Sequence, residues 1–469
     1  MTLTRQLFTS TKFVELNVKF KAHNTDLYKC PLSFFKLEFS YFFAKFTLVM
    51  KPERLIVEIS NECNFECQMC FLMQKNGSRQ KSFMDLNEFL KMADLLPHLE
   101  SLVFSGFGEP LLNPEIYEMV RFAKSRMQVN SNISIQTNGY LLTEEKAIAL
   151  IESGLSNFCI SVDRLAGGFQ FHSLNNAEKS FQILSKLKEQ FKNLTYGAEI
   201  VLTKDNLSEL LEILQGLLSF KIDFLIISHL IPSSQSLVSK VAYDTNNDAS
   251  VRIFEKWSKI LYEKGYSFED WLDVAKKKAA ENVDYNLETH NLYKSMYEDA
   301  ESIGLTLNLK KLMEMDNEFL NTVESLLYRV KEICSQNKIK FKIPAIHPRS
   351  NRKCEFIENN CMFVSVDGDV SPCFFLWHNF ECFIGNLHKK VKKVSFGNIN
   401  LEKPIDIYNG DPYKKFRETV TKYEYPYCYD CNFALCDLME LENFIYDCYS
   451  NEIPCGACLW CGDLFNCVI

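Results

Sequence analysis

From Arg54 onward, short apolar runs alternate with amphipathic stretches of helical period, and nothing else in the 469-residue chain limits its fold so tightly. Strands are expected at RLIVEIS (54–60), SLVFSG (101–106), ISIQT (133–137), FCISV (158–162), AEIVLT (198–203) and FLIIS (224–228). Helices are expected near 85–96, 114–127, 143–153, 175–192 and 206–219, with Asp85 and Thr143 as N-caps and Gly154 as a stop signal. Repeated strand–helix alternation means βαβ units and a parallel sheet. On this pattern alone an open sheet and a barrel both fit.

The rest of the chain divides around that core. Residues 231–345 read as a helical insertion that covers and completes it, with helices near 247–263, 267–281, 285–302 and 315–336 and a strand near 338–343. The prolines and polar residues of PAIHPRSNRKC then mark a boundary, and 346–469 form a cysteine-rich domain. Residues 1–49 carry no clear periodicity, and Met50 stands directly before KPERLIVEIS. The expectation is a functional chain that starts at Met50, preceded by a poorly ordered extension or a mis-called start, which mass spectrometry of the native N-terminus tests. The core then spans 50–230.

Composition removes several function classes. A net charge of −8 without basic stripes gives no reason to expect a nucleic-acid partner. The N-terminus lacks a compact apolar signal sequence, and Lys36, Glu38 and Lys45 interrupt the apolar stretch 33–49, so no membrane span is expected. In a reducing cytoplasm, 18 cysteines point to metal binding more than to disulfides. Three are isolated: Cys30, Cys159 and Cys334, the last two read as small buried apolar groups. Three cluster after the first strand, and twelve lie between Cys354 and Cys467.

The first cluster is Cys63, Cys67 and Cys70, at C-x3-C-x2-C spacing in the loop after the first strand. In α/β barrels such loops carry the chemistry, because all the strand ends open onto one face. Three thiolates hold three corners of a [4Fe–4S] cube and leave the fourth iron free, whereas an electron carrier closes that corner with another cysteine. A catalytic zinc site draws more often on histidine and carboxylate.

This loop resembles the signature of the radical S-adenosylmethionine (SAM) superfamily. SGFGEP (105–110), QTNG (136–139), SVD (161–163) and LTKDN (202–206) follow the next four strands in the order that the family shows. The resemblance covers about residues 52–230. It implies that SAM chelates the open iron, and that one electron from the cluster cleaves its C–S bond to give methionine and a 5′-deoxyadenosyl radical. It also implies that Phe107, Gly108 and Glu109 meet the SAM amino group, and that Ser161 and Asp163 meet its ribose. Asn138 is a cofactor contact or a turn residue. Two departures stand out: Phe107 replaces a family glycine, and Met69 replaces the usual aromatic before the last cysteine. His229, ending the sixth strand, is a substrate contact or a hydrogen-bonded wall residue.

The C-terminal cysteines resemble the SPASM extension of radical SAM peptide- and protein-modifying enzymes, over about 350–469. The match lies in Cys354, Cys361, Gly368 and Cys373, with a hairpin signal at Asp367–Gly368, and in Cys428, Cys431 and Cys436. Where the pattern has its next cysteine this chain has Glu440, so the remaining ligands come from Cys448 or from tail residues such as Cys455 and Cys458. The resemblance implies two auxiliary [4Fe–4S] clusters; zinc in the C-x2-C pairs is the rival reading. His378 reads as packing beside Trp377. The tail motifs also resemble radical SAM/SPASM metalloenzyme maturases near tungsten-enzyme cofactor-modifying proteins.

The expected fold class is therefore α/β: a partial (β/α)6 TIM-like barrel with a helical insertion and a small cysteine-rich C-terminal α+β domain. The expected activity is anaerobic, cytoplasmic, radical-based modification of a peptide, protein or metal-cofactor precursor that matures a partner metalloenzyme. Flavodoxin or ferredoxin would supply the electron. Modification of a small molecule or RNA, and a non-catalytic iron–sulfur electron carrier, are the alternatives.

Overall fold

The computed structural model describes residues 50–73, 82–168, 170–280, 286–385, 387–429, 431 and 446–467. The expectations for 1–49 and for Cys436 fall outside the described residues.

Six parallel strands run in chain order: β1 (Arg54–Val57), β2 (Ser101–Phe104), β3 (Asn132–Thr137), β4 (Asn157–Ser161), β5 (Thr195–Leu202) and β6 (Phe224–His229). Between them come α1 (Leu86–Leu90), α2 (Ile116–Arg126), α3 (Glu144–Ser153), α4 (Leu174–Gln190) and α5 (Leu210–Ser219). A strictly sequential order with right-handed crossovers puts every helix on one face, so the sheet is an arc of a barrel and not a doubly wound sheet.

Strand register separates the two faces. Val57, Phe104, Ile135, Phe158 and Tyr196 align on the helix-facing side, all buried. One residue further along, Ser105 and Gln136 bond to each other on the opposite side, at the end where the β–α loops begin.

The caps follow the sequence. Asp85 and Glu88 form a reciprocal capping box on α1, and Thr143 accepts from Lys146 N–H. Gly154 ends α3 with φ +119, a left-handed conformation that glycine adopts without penalty. Two helices are shorter than the periodicity predicts. α1 stops at Leu90 and gives way to turns before Pro97, and α5 begins at Leu210 after turns through 204–209. In the second case Asn206 bonds to Thr203 N–H and the carbonyls of Asp163 and Val201, holding the backbone in a loop.

After β6 the chain makes a helical excursion: α6 (Asp248–Glu263), α7 (Phe268–Ala279), α8 (Leu287–Ser302) and α9 (Leu309–Met313). These share their own apolar cluster around Phe254, Trp271, Leu292 and Met296. α10 (Asn317–Gln336) instead joins the main core through Val323, Leu327, Val330 and Cys334, then delivers β7 (Lys340–Lys342) parallel to β6.

The C-terminal region does not stand apart from the barrel. After α11 (Glu355–Glu358), β8 (Cys361–Val364) pairs in parallel with β1, and β9 (Val370–Ser371) turns back antiparallel through Gly368, at φ +83. The nine-stranded order is β7-β6-β5-β4-β3-β2-β1-β8-β9. An open arc leaves the β1 edge unpaired, and β8 satisfies its backbone groups. A separate antiparallel pair, β10 (Phe380–Ile384) and β11 (Leu387–Val391), precedes α12 (Pro404–Asn409) and α13 (Asp411–Val420). Among the described residues no helix is long and apolar enough to cross a membrane.

Candidate functional site

The loops at the C-terminal ends of β1 to β5 converge on one cavity of about 200 Å³. Cys63, Cys67 and Cys70 line it together with Phe107, Gly108, Glu109, Asn138, Ser161 and Asp163. Every cysteine of the first cluster and every residue expected at SAM therefore faces the same space.

The cysteine loop is braced by its own backbone. Phe65 N–H and Leu72 N–H each lie 3.4 Å from the thiol sulfurs of Cys63 and Cys70, and Cys70 N–H bonds to the Cys67 carbonyl at 2.9 Å. Such N–H groups favour a thiolate over a thiol. Without a ligand, burial and then the charge on Glu109 push Cys63 upward, partly offset by Phe65 N–H. Gly108 lets two loops pass: a Cβ there would stand 2.2 Å from the Ser60 carbonyl oxygen.

Glu109 organises the neighbouring loop. It is 2% exposed and accepts from Thr137 Oγ1 at 2.7 Å, Asn138 N–H at 2.8 Å and Leu111 N–H at 3.0 Å. Burial raises its pKa against those bonds. Asn138 Nδ2 donates to Asn64 Oδ1 at 2.8 Å and lies 3.9 Å from Cys63 Sγ. Asp163 is committed too: Oδ1 accepts Val201 N–H at 2.7 Å, and Oδ2 lies 3.2 Å from His172 Nδ1. Ser161 lies beside it on the cavity wall, half-buried.

Several functional neighbours carried no sequence motif. His172 places Nε2 3.3 Å from Cys67 Sγ. Desolvation opposes charge on this ring, but Asp163 and Cys67 outweigh it and raise the pKa well above the ordinary value. Gln136 accepts from Ser105 and donates to Glu199 Oε2 at 2.5 Å. Burial and then the Asp163 charge push Glu199 up to about 8. Glu58, fully buried, accepts Phe107 N–H at 3.0 Å. Strand parity could have flagged Glu58, Gln136 and Glu199, as polar side chains interrupting apolar runs, whereas His172 lies in the loop before α4 and carries no such signal.

A second cavity, of about 240 Å³, shares Met69, Gly106, Phe107, Gln136, Glu199 and Val201 with the first. Its far wall comes from the C-terminal region: Phe374, Phe380, Trp460 and Cys467. His229 borders it, but its register partner is Leu202, and its Nε2 bonds to the Ala345 carbonyl at 2.9 Å. Nε2 is thus held in the wall, while Nδ1 is buried with no partner among the described residues, and burial keeps the ring neutral with a pKa of about 4.

The C-terminal thiols are sorted unevenly. Cys354, Cys373, Cys455 and Cys458 lie within electrostatic reach of one another, with Cys461 hydrogen-bonded to the Cys458 carbonyl at 3.2 Å. Cys361 sits at the start of β8 and feels Arg54 before Cys354. Cys428 packs on the 455–458 turn, whereas Cys431 and Cys448 are exposed. His378 stacks on Trp377, as expected, and also reaches Glu58.

Among the described residues no three His, Cys, Asp or Glu side chains converge tightly enough for a single metal ion. A cube is a different demand, since each thiolate binds its own iron at a separate corner. The residues fit such a group: every described cysteine is a free thiol, and among the described residues neither Asn64 Nδ2, buried within the first loop, nor Lys389 Nζ, near C-terminal cysteines, has a hydrogen-bond partner.

Residues 57–217 match the radical SAM superfamily, and 354–432 match the SPASM iron–sulfur cluster-binding domain. The chain is 27% identical to the tungsten-containing aldehyde ferredoxin oxidoreductase cofactor-modifying protein of Pyrococcus furiosus, over 88% of this chain and 97% of that protein. It is 34% identical to a GTP 3′,8-cyclase of Chlorobaculum tepidum, over 23% of this chain and 32% of that protein. The solved structure of Streptococcus suis SuiB aligns at 14% identity with a TM-score of 0.48, over 90% of this chain and 83% of that one.

Proposed function

We propose, from the premise that this chain belongs to the radical SAM superfamily and carries a SPASM domain, that it matures a partner metalloenzyme. Its substrate would be the precursor of that enzyme's cofactor or the polypeptide that carries it. The observation that carries this reading is the near end-to-end similarity to a cofactor-modifying protein. The second cavity, between the three-cysteine loop and the C-terminal thiols, is consistent with a substrate chamber.

In this reading Cys63, Cys67 and Cys70 hold the SAM-binding [4Fe–4S] cluster. That centre, when bound and reduced by flavodoxin or ferredoxin, supplies the electron that splits SAM into methionine and a hydrogen-abstracting 5′-deoxyadenosyl radical. The protein's part is positioning. Glu109 fixes Asn138 and the 105–110 loop, whose backbone at Phe107 and Gly108 would meet the SAM amino group. Asp163 Oδ1 is engaged by Val201 N–H, so the Ser161 hydroxyl and Asp163 Oδ2 would meet the ribose. Met69 supplies a polarizable apolar wall.

The chamber also bears on the substrate. Among the described residues that line it there is no lysine or arginine, while Phe71, Phe374, Phe380 and Trp460 contribute aromatic surface. A phosphate or carboxylate entering it would be desolvated without a counter-cation. The reacting end of the substrate is thus uncharged, with Gln136 and Glu199 as its hydrogen-bonding partners.

The test is isolation of metalloenzymes from cells with and without this gene, followed by mass spectrometry of their cofactors and polypeptides. A mass difference that purified enzyme, SAM and reductant restore in vitro supports the reading. Identical cofactors and polypeptides in both backgrounds overturn it.

A further inference from the structure

One buried cation in the C-terminal region has no counter-charge among the described residues around it. Lys389, on β11, is 6% exposed, and its Nζ has no hydrogen-bond partner among the described residues. Lysine is almost never fully buried unpaired, because desolvating an ammonium is costly. The face of Phe375, 5.3 Å from Nζ to the ring centre, gives partial compensation.

The charged-group neighbours that act on this lysine are all thiols. Cys382 is its direct partner across the β10–β11 pair. Cys428, Cys458 and Cys455 are the next groups whose charge it feels. The 455–458 turn closes with a bond from Cys458 N–H to the Cys455 carbonyl at 3.1 Å. Cys428 N–H bonds to the Gly456 carbonyl at 3.0 Å, and a Cβ on Gly456 would stand 2.9 Å from Cys428 Sγ. Phe375 places Cys373 two residues away in the chain, and Cys373 in turn shares its surroundings with Cys354, Cys455 and Cys458.

Protonated thiols are neutral and offer an ammonium only weak acceptors. Thiolates on iron are different: metal coordination deprotonates them outright, and a cube held by four of them carries net negative charge.

We propose that Lys389 is the buried counter-cation of an auxiliary iron–sulfur cluster held by Cys354, Cys373, Cys455 and Cys458. The tail pair then supplies what the sequence lacks at Glu440, and Cys361 is a strand residue, not a ligand. A cation beside the cube stabilises its more negative, reduced form and so raises its reduction potential. The inference rests on the chain having auxiliary clusters and is independent of its substrate.

The experiment uses full-length chain carrying Cys63→Ala, Cys67→Ala and Cys70→Ala, reconstituted without oxygen, so that only auxiliary clusters contribute. Lys389→Met and Lys389→Arg are compared by iron and sulfide content and by redox titration followed by electron paramagnetic resonance. The expected result is that Lys389→Met keeps its iron while one cluster reduces at a more negative potential, and Lys389→Arg titrates close to the parent. Loss of iron in Lys389→Met but not in Lys389→Arg also supports the role of charge. Unchanged potentials in a fully loaded Lys389→Met, or equal iron loss in both variants, overturn it. For the ligands, Cys455→Ala is expected to remove about four irons per chain and Cys361→Ala none; the reverse outcome refutes the assignment.

Discussion

Glu58 and His378 meet where the first barrel strand touches the C-terminal region, with histidine Nε2 3.1 Å from one carboxylate oxygen and 3.2 Å from the other. The same carboxylate accepts Phe107 N–H at 3.0 Å and Val366 N–H at 3.3 Å, and the Phe107 ring lies 4.7 Å from the imidazole. One fully buried group thus ties the 105–110 loop to β1 and to the turn between β8 and β9. Burial alone would raise the Glu58 pKa, but His378 and the two backbone donors bring it below the ordinary value.

Removing one partner of such a pair strands the other. His378→Ala is expected to cost about 1–3 kcal/mol, the range for leaving a buried hydrogen-bonding group without its partner. SAM should also bind more weakly, because Phe107 loses its ring contact. The double variant Glu58→Gln with His378→Ala should lose less than the two single variants summed. Denaturant unfolding of the four proteins of the cycle measures this; additive losses would contradict the pairing.

The close passage of two loops at Gly108 gives a sharper local test. A methyl at 2.2 Å from a carbonyl oxygen cannot be accommodated without moving backbone. Gly108→Ala should therefore abolish measurable SAM binding while the C-terminal clusters still load. Retained SAM affinity, read by equilibrium dialysis on reconstituted protein, would show that the loop shifts freely.

Glu199 predicts a pH dependence. Its folded pKa of about 8 lies above the ordinary carboxyl value of 4.5, so the native state holds the proton more tightly than the unfolded chain. Stability contributed this way is complete below about pH 4.5 and lost as pH rises towards 8. Glu199→Gln, which cannot ionise, should flatten the fall in unfolding midpoint between pH 5 and 8 relative to the parent. Parallel pH profiles for the two proteins would count against a protonated Glu199.

The barrel was legible because its signals are local. Six apolar runs, the caps at Asp85 and Thr143, and the stop at Gly154 depend on near neighbours in the chain. The three-cysteine loop was equally plain, since its ligands lie within eight residues. The pairing of β8 with β1 was not legible: it joins residues some 300 positions apart, and a two-sided buried strand looks the same wherever it docks. His172, Glu199 and the Glu58 contact of His378 escaped for the same reason. Glu199 meets Gln136 of β3, His378 meets Glu58 just past β1, and His172 meets Cys67 of the first loop, and a single histidine or glutamate in a sequence carries no mark of what it will face. The engagement of Asp163 by Val201 and His172 likewise depends on where the following loop returns.

The central claim is an open coordination corner at Cys63, Cys67 and Cys70, and one assay addresses it directly. Reconstituted protein is reduced without oxygen in the presence of SAM, and 5′-deoxyadenosine is quantified beside a Cys70→Ala variant. The account predicts 5′-deoxyadenosine and methionine from the parent and none from the variant. A parent protein that carries all its clusters yet leaves SAM intact would contradict it.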